Sequence, residues 1–122
     1  MNMIELTEKI IGAAITVHRE LGPGLLEATY ESELCVEFDD LRIAYDRQLV
    51  VPVVYKLRRI GEYRLDLLVE GKAVVELKSV ERFEPMFEAI VLTHLRITGK
   101  KVGLPFDFNT RLLKHGIKRF IS

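Results

Sequence analysis

The sequence predicts one domain of mixed α/β or α+β class, a central β-sheet flanked by helices. Apolar residues recur at three- and four-residue spacing through the first third of the chain, the signature of amphipathic helices. From Gln48 onward the period drops to two and β-branched residues dominate, the signature of strands. A chain of 122 residues, 48% hydrophobic and 30% charged, has room for one core and not for two. The element order read from these patterns is ααβββαββ, with no internal repeat and no linker, so residues 1–122 form a single domain.

The first helix runs from Leu6 to Leu21, with Leu6, Ile10, Ala13, Ala14, Val17 and Leu21 on one stripe and Gly22-Pro23-Gly24 ending it. A second helix covers about Leu25 to Asp40. It places Leu26, Tyr30, Leu34, Phe38 and Leu41 on one face and an acidic set, Glu31, Glu33, Glu37 and Asp39, outside. Gln48 to Lys56 reads as an edge strand or a bulged one, because Pro52 cannot donate to a ladder. Ile60–Val69 and Lys72–Ser79 form a hairpin through Glu70-Gly71-Lys72. A third helix spans Pro85 to Thr98, with Pro85 in its first turn and Gly99 as its C′ residue. Val102 to Phe108 is a further strand, Asn109-Thr110 a turn, Arg111–His115 a short helical turn, and Ile117–Ile121 a last short strand.

Composition excludes several classes. Disorder, collagen-like repeats and low complexity do not fit these fractions. Cys35 is the single cysteine, so no disulfide forms within the chain and a reducing, cytoplasmic setting is expected. No apolar run is long enough to cross a membrane, Met1 to Lys9 is unlike a signal peptide, and no membrane partner is expected. The formal net charge of zero hides an asymmetry: residues 1–46 carry a net −7, residues 47–92 a net +1 and residues 93–122 a net +6. A basic C-terminal quarter either faces a polyanion or pairs with the acidic quarter, within one chain or across a homodimer.

The chemistry concentrates on the hairpin. Alternation puts Val74, Glu76 and Lys78 on one face of their strand, and Arg64, Asp66 and Leu68 on one face of the preceding one. A three-residue loop sets Val69 opposite Ala73 and therefore Asp66 opposite Glu76. Two carboxylates so placed repel and raise each other's pKa unless a cation lies between them. A hard divalent ion with oxygen ligands, Mg²⁺ or Mn²⁺, resolves the conflict, and Lys78 projects toward the same spot. The competing reading is a solvated Glu-x-Lys strand, but Ala73-Val74-Val75-Glu76-Leu77 is too apolar for one, and its charges are costly. On the second helix Glu27 lies on the apolar side, three residues before Tyr30. It either completes a site or caps its own helix. Elsewhere, His18 reads as structural or interfacial, His115 as exposed and Cys35 as a small buried apolar residue, while His94 can reach the site from the third helix, although its neighbours Ile90 and Val91 favour a core or rim role.

Gly24-Leu25-Leu26-Glu27-Ala28-Thr29-Tyr30 resembles the pattern that names the GxxExxY proteins. The likeness extends to Ala14–Gly24 before it, to Gly61–Val69 and Val75-Glu76-Leu77-Lys78 after it, and to Thr98–Leu104 and Leu113–Arg119 in the tail. That family is placed in the PD-(D/E)XK nuclease-like superfamily, whose core is a mixed sheet flanked by helices, the restriction-endonuclease-like architecture. The resemblance implies that Asp66, Glu76 and the Leu77 carbonyl hold Mg²⁺ or Mn²⁺, that Lys78 acts on the attacking water or the phosphate, and that Glu27 assists with Tyr30 packed beside it. The chain departs from the family at Ile90, where a Gln is usual, at His94, where a Tyr is usual, and at Gly103-Leu104-Pro105-Phe106-Asp107-Phe108, where a run of aliphatics before an Asn-Phe pair is usual.

Two functions follow. One is a metal-dependent nuclease whose basic residues Arg96, Lys100, Lys101, Lys114, Lys118 and Arg119 hold a nucleic acid, DNA or RNA, by charge. The other is a catalytically idle descendant, a nucleic-acid-binding or protein-interaction scaffold, dimeric, which the missing Gln and the zero net charge favour. A protein-binding module using the acidic second helix is a third.

Overall fold

The computed structural model describes residues 1–80 and 84–121. Helix α1 (Met3–Leu21) opens on Asn2, whose side chain accepts the Glu5 N–H at 2.8 Å while donating back to the Glu5 carboxylate at 3.0 Å. This reciprocal pair satisfies N–H groups that the first turn otherwise leaves without partners. The predicted stripe of Leu6, Ile10, Ala13, Ala14 and Val17 is buried. Helix α2 (Glu27–Leu41) buries Tyr30, Leu34, Cys35 and Phe38. Leu26 and Leu41, expected on the same face, lie outside it at 77% and 45% exposure. They occupy the two ends of the helix, and Leu26 is the extended residue before its first turn.

The sheet has five strands in the order β1 (Tyr45–Tyr55), β2 (Arg58–Val69), β3 (Ala73–Lys78), β4 (Val102–Asp107) and β5 (Phe120–Ile121). β1 begins three residues earlier than its β-branched run, because Tyr45, Asp46 and Arg47 continue the antiparallel ladder against Val69, Leu68 and Leu67. β3 and β4 are parallel, joined by helix α3 (Pro85–Thr98) as a crossover; the other neighbours are antiparallel. The last strand is shorter than expected, with Ile117 making only an isolated bridge to Phe106.

α1, α2 and the 3-10 turn Leu113–His115 cover one face of the sheet. Their core residues pack with Leu67, Val69, Ala73, Val75, Leu77 and the inward residues of β4. α3 covers the other face, where Leu95 meets Leu65, Leu68 and Val74. Its approach is close at Gly103, where an added Cβ would stand 2.7 Å from Val91 Cγ1 and 3.2 Å from Leu95 Cδ1. β3 is buried on both faces, which explains its near-continuous apolar run.

The β2–β3 register is the one the hairpin loop predicts: Val69 opposite Ala73, Leu68 opposite Val74, Leu67 opposite Val75. There the ladder stops. Leu65 and Leu68 both pack on the α3 side while Leu67 packs on the other, so the two-residue alternation breaks at Asp66. Arg64 consequently does not share a face with Leu68 as strict alternation requires; it faces away from α3.

Candidate active site

The break in alternation is what builds the site. Opposite Asp66 on β1, Gln48 has a positive φ of 49°, in the left-handed region costly for a residue with a side chain. Neither residue joins the ladder, although their neighbours Arg47↔Leu67 and Leu49↔Leu65 do. Freed from pairing, Asp66 turns its carboxylate to the end of β3, where Oδ2 accepts the Leu77 N–H at 2.8 Å. A side chain thus takes the place of the next backbone rung and fixes the Asp66 carboxylate on the strand that carries Glu76. The Gln48 amide donates to Glu31 Oε1 at 2.8 Å and reaches Asp66 Oδ1 at 3.5 Å.

Glu31 was expected on the solvated acidic face of α2; it is 7% exposed. The Arg47 guanidinium donates to its Oε2 through Nε at 3.2 Å and Nη2 at 3.0 Å, which with Gln48 compensates its burial. Helical spacing alone could not reveal this, because the partner comes from a strand.

Glu27 is the first residue of α2 and is exposed. It makes no cap, and its carboxylate has no hydrogen bond among the described residues. It stands between two clefts. One, of about 410 Å³, is lined by Glu27, Ala28, Glu31, Gln48, Asp66 and Leu77. The other, of about 510 Å³, is lined by Gly24, Leu25, Leu26, Glu27, Ser79 and Asn109. Tyr30 anchors this corner: its hydroxyl donates to the Gly22 carbonyl at 2.6 Å and accepts from the Leu25 N–H at 3.1 Å, and its ring stacks on Phe108 at 4.4 Å.

Glu76 is 5% exposed and lies on the α3 side, as alternation predicts. Burial pushes its pKa up; the His94 contact pulls it back, and the neighbouring Asp66 carboxylate pushes it up further. His94, expected in a core or rim position with the site within reach, has its Nδ1 2.7 Å from Glu76 Oε1. Its ring stacks on Tyr63 at 4.4 Å. The signal available in the sequence was spacing: His94 adjoins the buried Val91 and Leu95 on α3 and so borders that helix's inward stripe. Tyr63 keeps a buried hydroxyl without a hydrogen-bond partner among the described residues. The Lys78 ammonium lies 5.0 Å from the centre of the Phe87 ring, in cation–π range.

The structure therefore brings Asp66, Glu27 and Leu77 to one cleft and sets Glu76 beside Asp66. It directs Lys78 toward the first turn of α3. Among the described residues no three His, Cys, Asp or Glu side chains converge as a ready metal cage. The basic tail is dispersed. Lys100 and Lys101 precede Val102, which pairs with Ala73, so they stand at the end of β3 and β4 away from Glu76 and Lys78. Lys118 pairs with Glu88 at 2.7 Å. His18 is structural, its Nε2 lying 2.7 Å from the Thr110 carbonyl, and Cys35 is a buried free thiol.

The sequence profile of the PD-(D/E)XK nuclease superfamily matches residues 4–120, nearly the whole chain. The chain belongs to the PD-(D/E)XK nuclease superfamily. The three helices and mixed five-stranded sheet are the restriction-endonuclease-like arrangement that membership implies. No curated protein and no solved structure matches the chain. Members of this superfamily generally use divalent metal ions, so the donor set has to be tested against one. The donors are hard oxygens, and the Gln48 amide reaches Asp66 Oδ1 at a long 3.5 Å. Glu76 carries a charge that burial and Asp66 both disfavour. A divalent cation would relieve that charge, and the residues fit it. Among the described residues no helix is long and apolar enough to cross a membrane.

Proposed function

We propose that this nuclease-like chain hydrolyses phosphodiester bonds of nucleic acid in a metal-dependent reaction, and that Gly24–Tyr30 places it among the GxxExxY proteins. The observation that carries the reading is the Asp66 carboxylate, held on the Leu77 N–H at the mouth of a cleft with Glu76 beside it. Asp66, Glu76 and the Leu77 carbonyl would hold Mg²⁺ or Mn²⁺. Such an ion neutralises phosphate charge and lowers the pKa of a bound water.

The chain's own groups supply the rest. Gln48 and the Leu77 N–H orient Asp66 before substrate arrives. Glu27, whose carboxylate has no hydrogen bond among the described residues and lines the cleft, would take the proton of the attacking water. Lys78 shares the Glu76 face of β3 and offers a compact positive charge for the oxygens on which negative charge develops. In the hydrolysis the water oxygen bonds to phosphorus, the bond to one ester oxygen breaks, and that oxygen leaves with a proton.

One observation favours the idle alternative. His94 engages Glu76 Oε1 directly, so an imidazole competes for one of the two oxygens that a metal ligand offers. A cleavage assay with Mn²⁺ or Mg²⁺ on DNA and RNA separates the readings. The nuclease reading expects cleavage by the wild type, its loss in Asp66→Ala, and an unchanged fold by circular dichroism. Equal cleavage by Asp66→Ala would remove the site; binding without cleavage would establish the scaffold.

A further inference from the structure

We propose that the outer part of the β1–β2 hairpin is an arm that grips the phosphodiester backbone of duplex DNA. The inference rests on the nuclease reading above and names a substrate contact that reading lacks. β2 runs antiparallel to β3, and its ladder with β3 ends at Leu67↔Val75. The part of β2 before Asp66 therefore continues past the Glu76–Lys78 end of β3, carrying β1 with it. From Leu49 and Leu65 to the tip, β1 and β2 pair only with each other among the described residues, as a two-stranded ribbon. Eight residues separate Asp66 from Arg58, so the ribbon reaches roughly 25 Å beyond the carboxylate.

Its charge is one-sided. Residues 49–65 hold Lys56, Arg58, Arg59 and Arg64 against the single acid Glu62. Arg64 stands two residues from Asp66, on the side away from α3. By contrast, Lys100 and Lys101 lie at the far end of the sheet. Ribbon cations and carboxylates thus share one end of the molecule, where a strand gripped by the first is presented to the second. A two-stranded ribbon also has the width of the DNA major groove.

The tip shows a second, independent sign. Lys56 and Leu57 have φ values of 48° and 65°, the two positive angles that a two-residue hairpin turn demands. Asn-Gly is the residue pair that meets this demand most cheaply. Here a lysine and a leucine accept the strain instead, and Leu57 is 99% exposed, so no packing within the chain accounts for it. Tyr55 is exposed beside them, with the Lys56 ammonium 5.6 Å from its ring centre, and presents a flat face to a sugar or base. A second copy of the chain is the weaker occupant. Protein interfaces deplete charge at their centre, whereas this tip places Lys56, Arg58 and Arg59 around its apolar residues.

The test measures binding of a labelled short DNA duplex to the full chain in EDTA, across a series of salt concentrations. The wild type should bind with a steep salt dependence. K56E/R58E should weaken binding about tenfold or more and lower the slope of log Kd against log salt by about two. K9E/K72E, which reverses two exposed cations outside the ribbon, should stay within about twofold. K56N/L57G should melt at least as high as the wild type, because it relieves the strained turn, and yet bind several-fold weaker. If both ribbon variants bind like the wild type, or K9E/K72E falls as far as they do, the arm is refuted while metal-dependent cleavage still stands. A ribbon variant that loses self-association in sedimentation with DNA binding intact also refutes it, in favour of a second copy. A wild type that binds no duplex refutes the arm and leaves the nuclease to the cleavage assay with metal on DNA and RNA. Ribbon-dependent binding by a wild type that never cleaves in Mn²⁺ keeps the arm and refutes the nuclease alone.

Discussion

The β1–β2 hairpin divides at Gln48 and Asp66 into a short inner part and an outer part about twice as long, and the two differ in what supports them. In the inner part, Leu67 and Val69 pack under α1 and α2, and β3 supplies a third strand. In the outer part no third strand is paired among the described residues: Leu49, Val51 and Tyr63 pack on the α3 side, and Val54, Tyr55, Leu57 and Ile60 toward the tip are exposed. Asp66 and Gln48 sit at the boundary. The difference teaches why the candidate chemistry lies there. A carboxylate inside the supported part would be sealed between layers, and one further out would lack β3 to hold it. At the boundary the lost rung leaves the Leu77 N–H for Asp66 to bind and a cleft open to α2.

If the two parts differ as described, Leu67→Ala should cost about 2–5 kcal/mol by leaving a cavity under two helices. Ile60→Ala on the ribbon should fall within about 0.5 kcal/mol of the wild type. Urea melts of the two variants check this, and equal costs would break the comparison. Gly103→Ala probes the supported side from α3. The new methyl would press on Val91, and the expected cost is about 1–3 kcal/mol if neither helix nor strand can give way.

Glu76 sharpens the boundary itself. Its folded pKa lies above its unfolded value, chiefly through burial. Its contribution to stability is therefore present below the unfolded value and lost as pH rises through the folded one. At neutral pH the Glu76→Gln variant should melt a few degrees higher than the wild type, and the gap should close on acidification. A lower melting temperature for Glu76→Gln at neutral pH would show that His94 more than compensates the buried charge. The smallest effect is expected at the far end of the sheet. Reversing Lys100 and Lys101 should weaken DNA binding less than reversing Lys56 and Arg58, as salt titrations would show.

The helices and the β2–β3 register were legible because each rests on local pattern. A 3.6-residue stripe defines α1, Pro85 and Gly99 bracket α3, and a three-residue loop determines which residue faces Val69. From that loop the proximity of Asp66 and Glu76 followed. The placement of Gln48 opposite Asp66 was not legible. It depends on a register shift between Val53 and Val54, without which the turn at Lys56-Leu57 would set Gln48 opposite Leu65. Pro52 allowed for a bulge, but it did not say where the register would shift or in which direction. Glu31 was misplaced for a related reason: α2 is acidic on several sides, and only the arrival of Arg47 and Gln48 from β1 makes one of those acids inward. His94 meets Glu76 across a crossover, a contact that helical spacing brings within reach without naming the partner.

The central claim is that Asp66 and Glu76 together bind a divalent cation at the point where the sheet loses its third strand. Calorimetric titration of Mn²⁺ into the wild type, Asp66→Asn and Glu76→Ala tests it most directly, with circular dichroism confirming that each variant folds. The account predicts saturable binding by the wild type and its loss in both variants. Binding of unchanged affinity in folded Asp66→Asn and Glu76→Ala would contradict it.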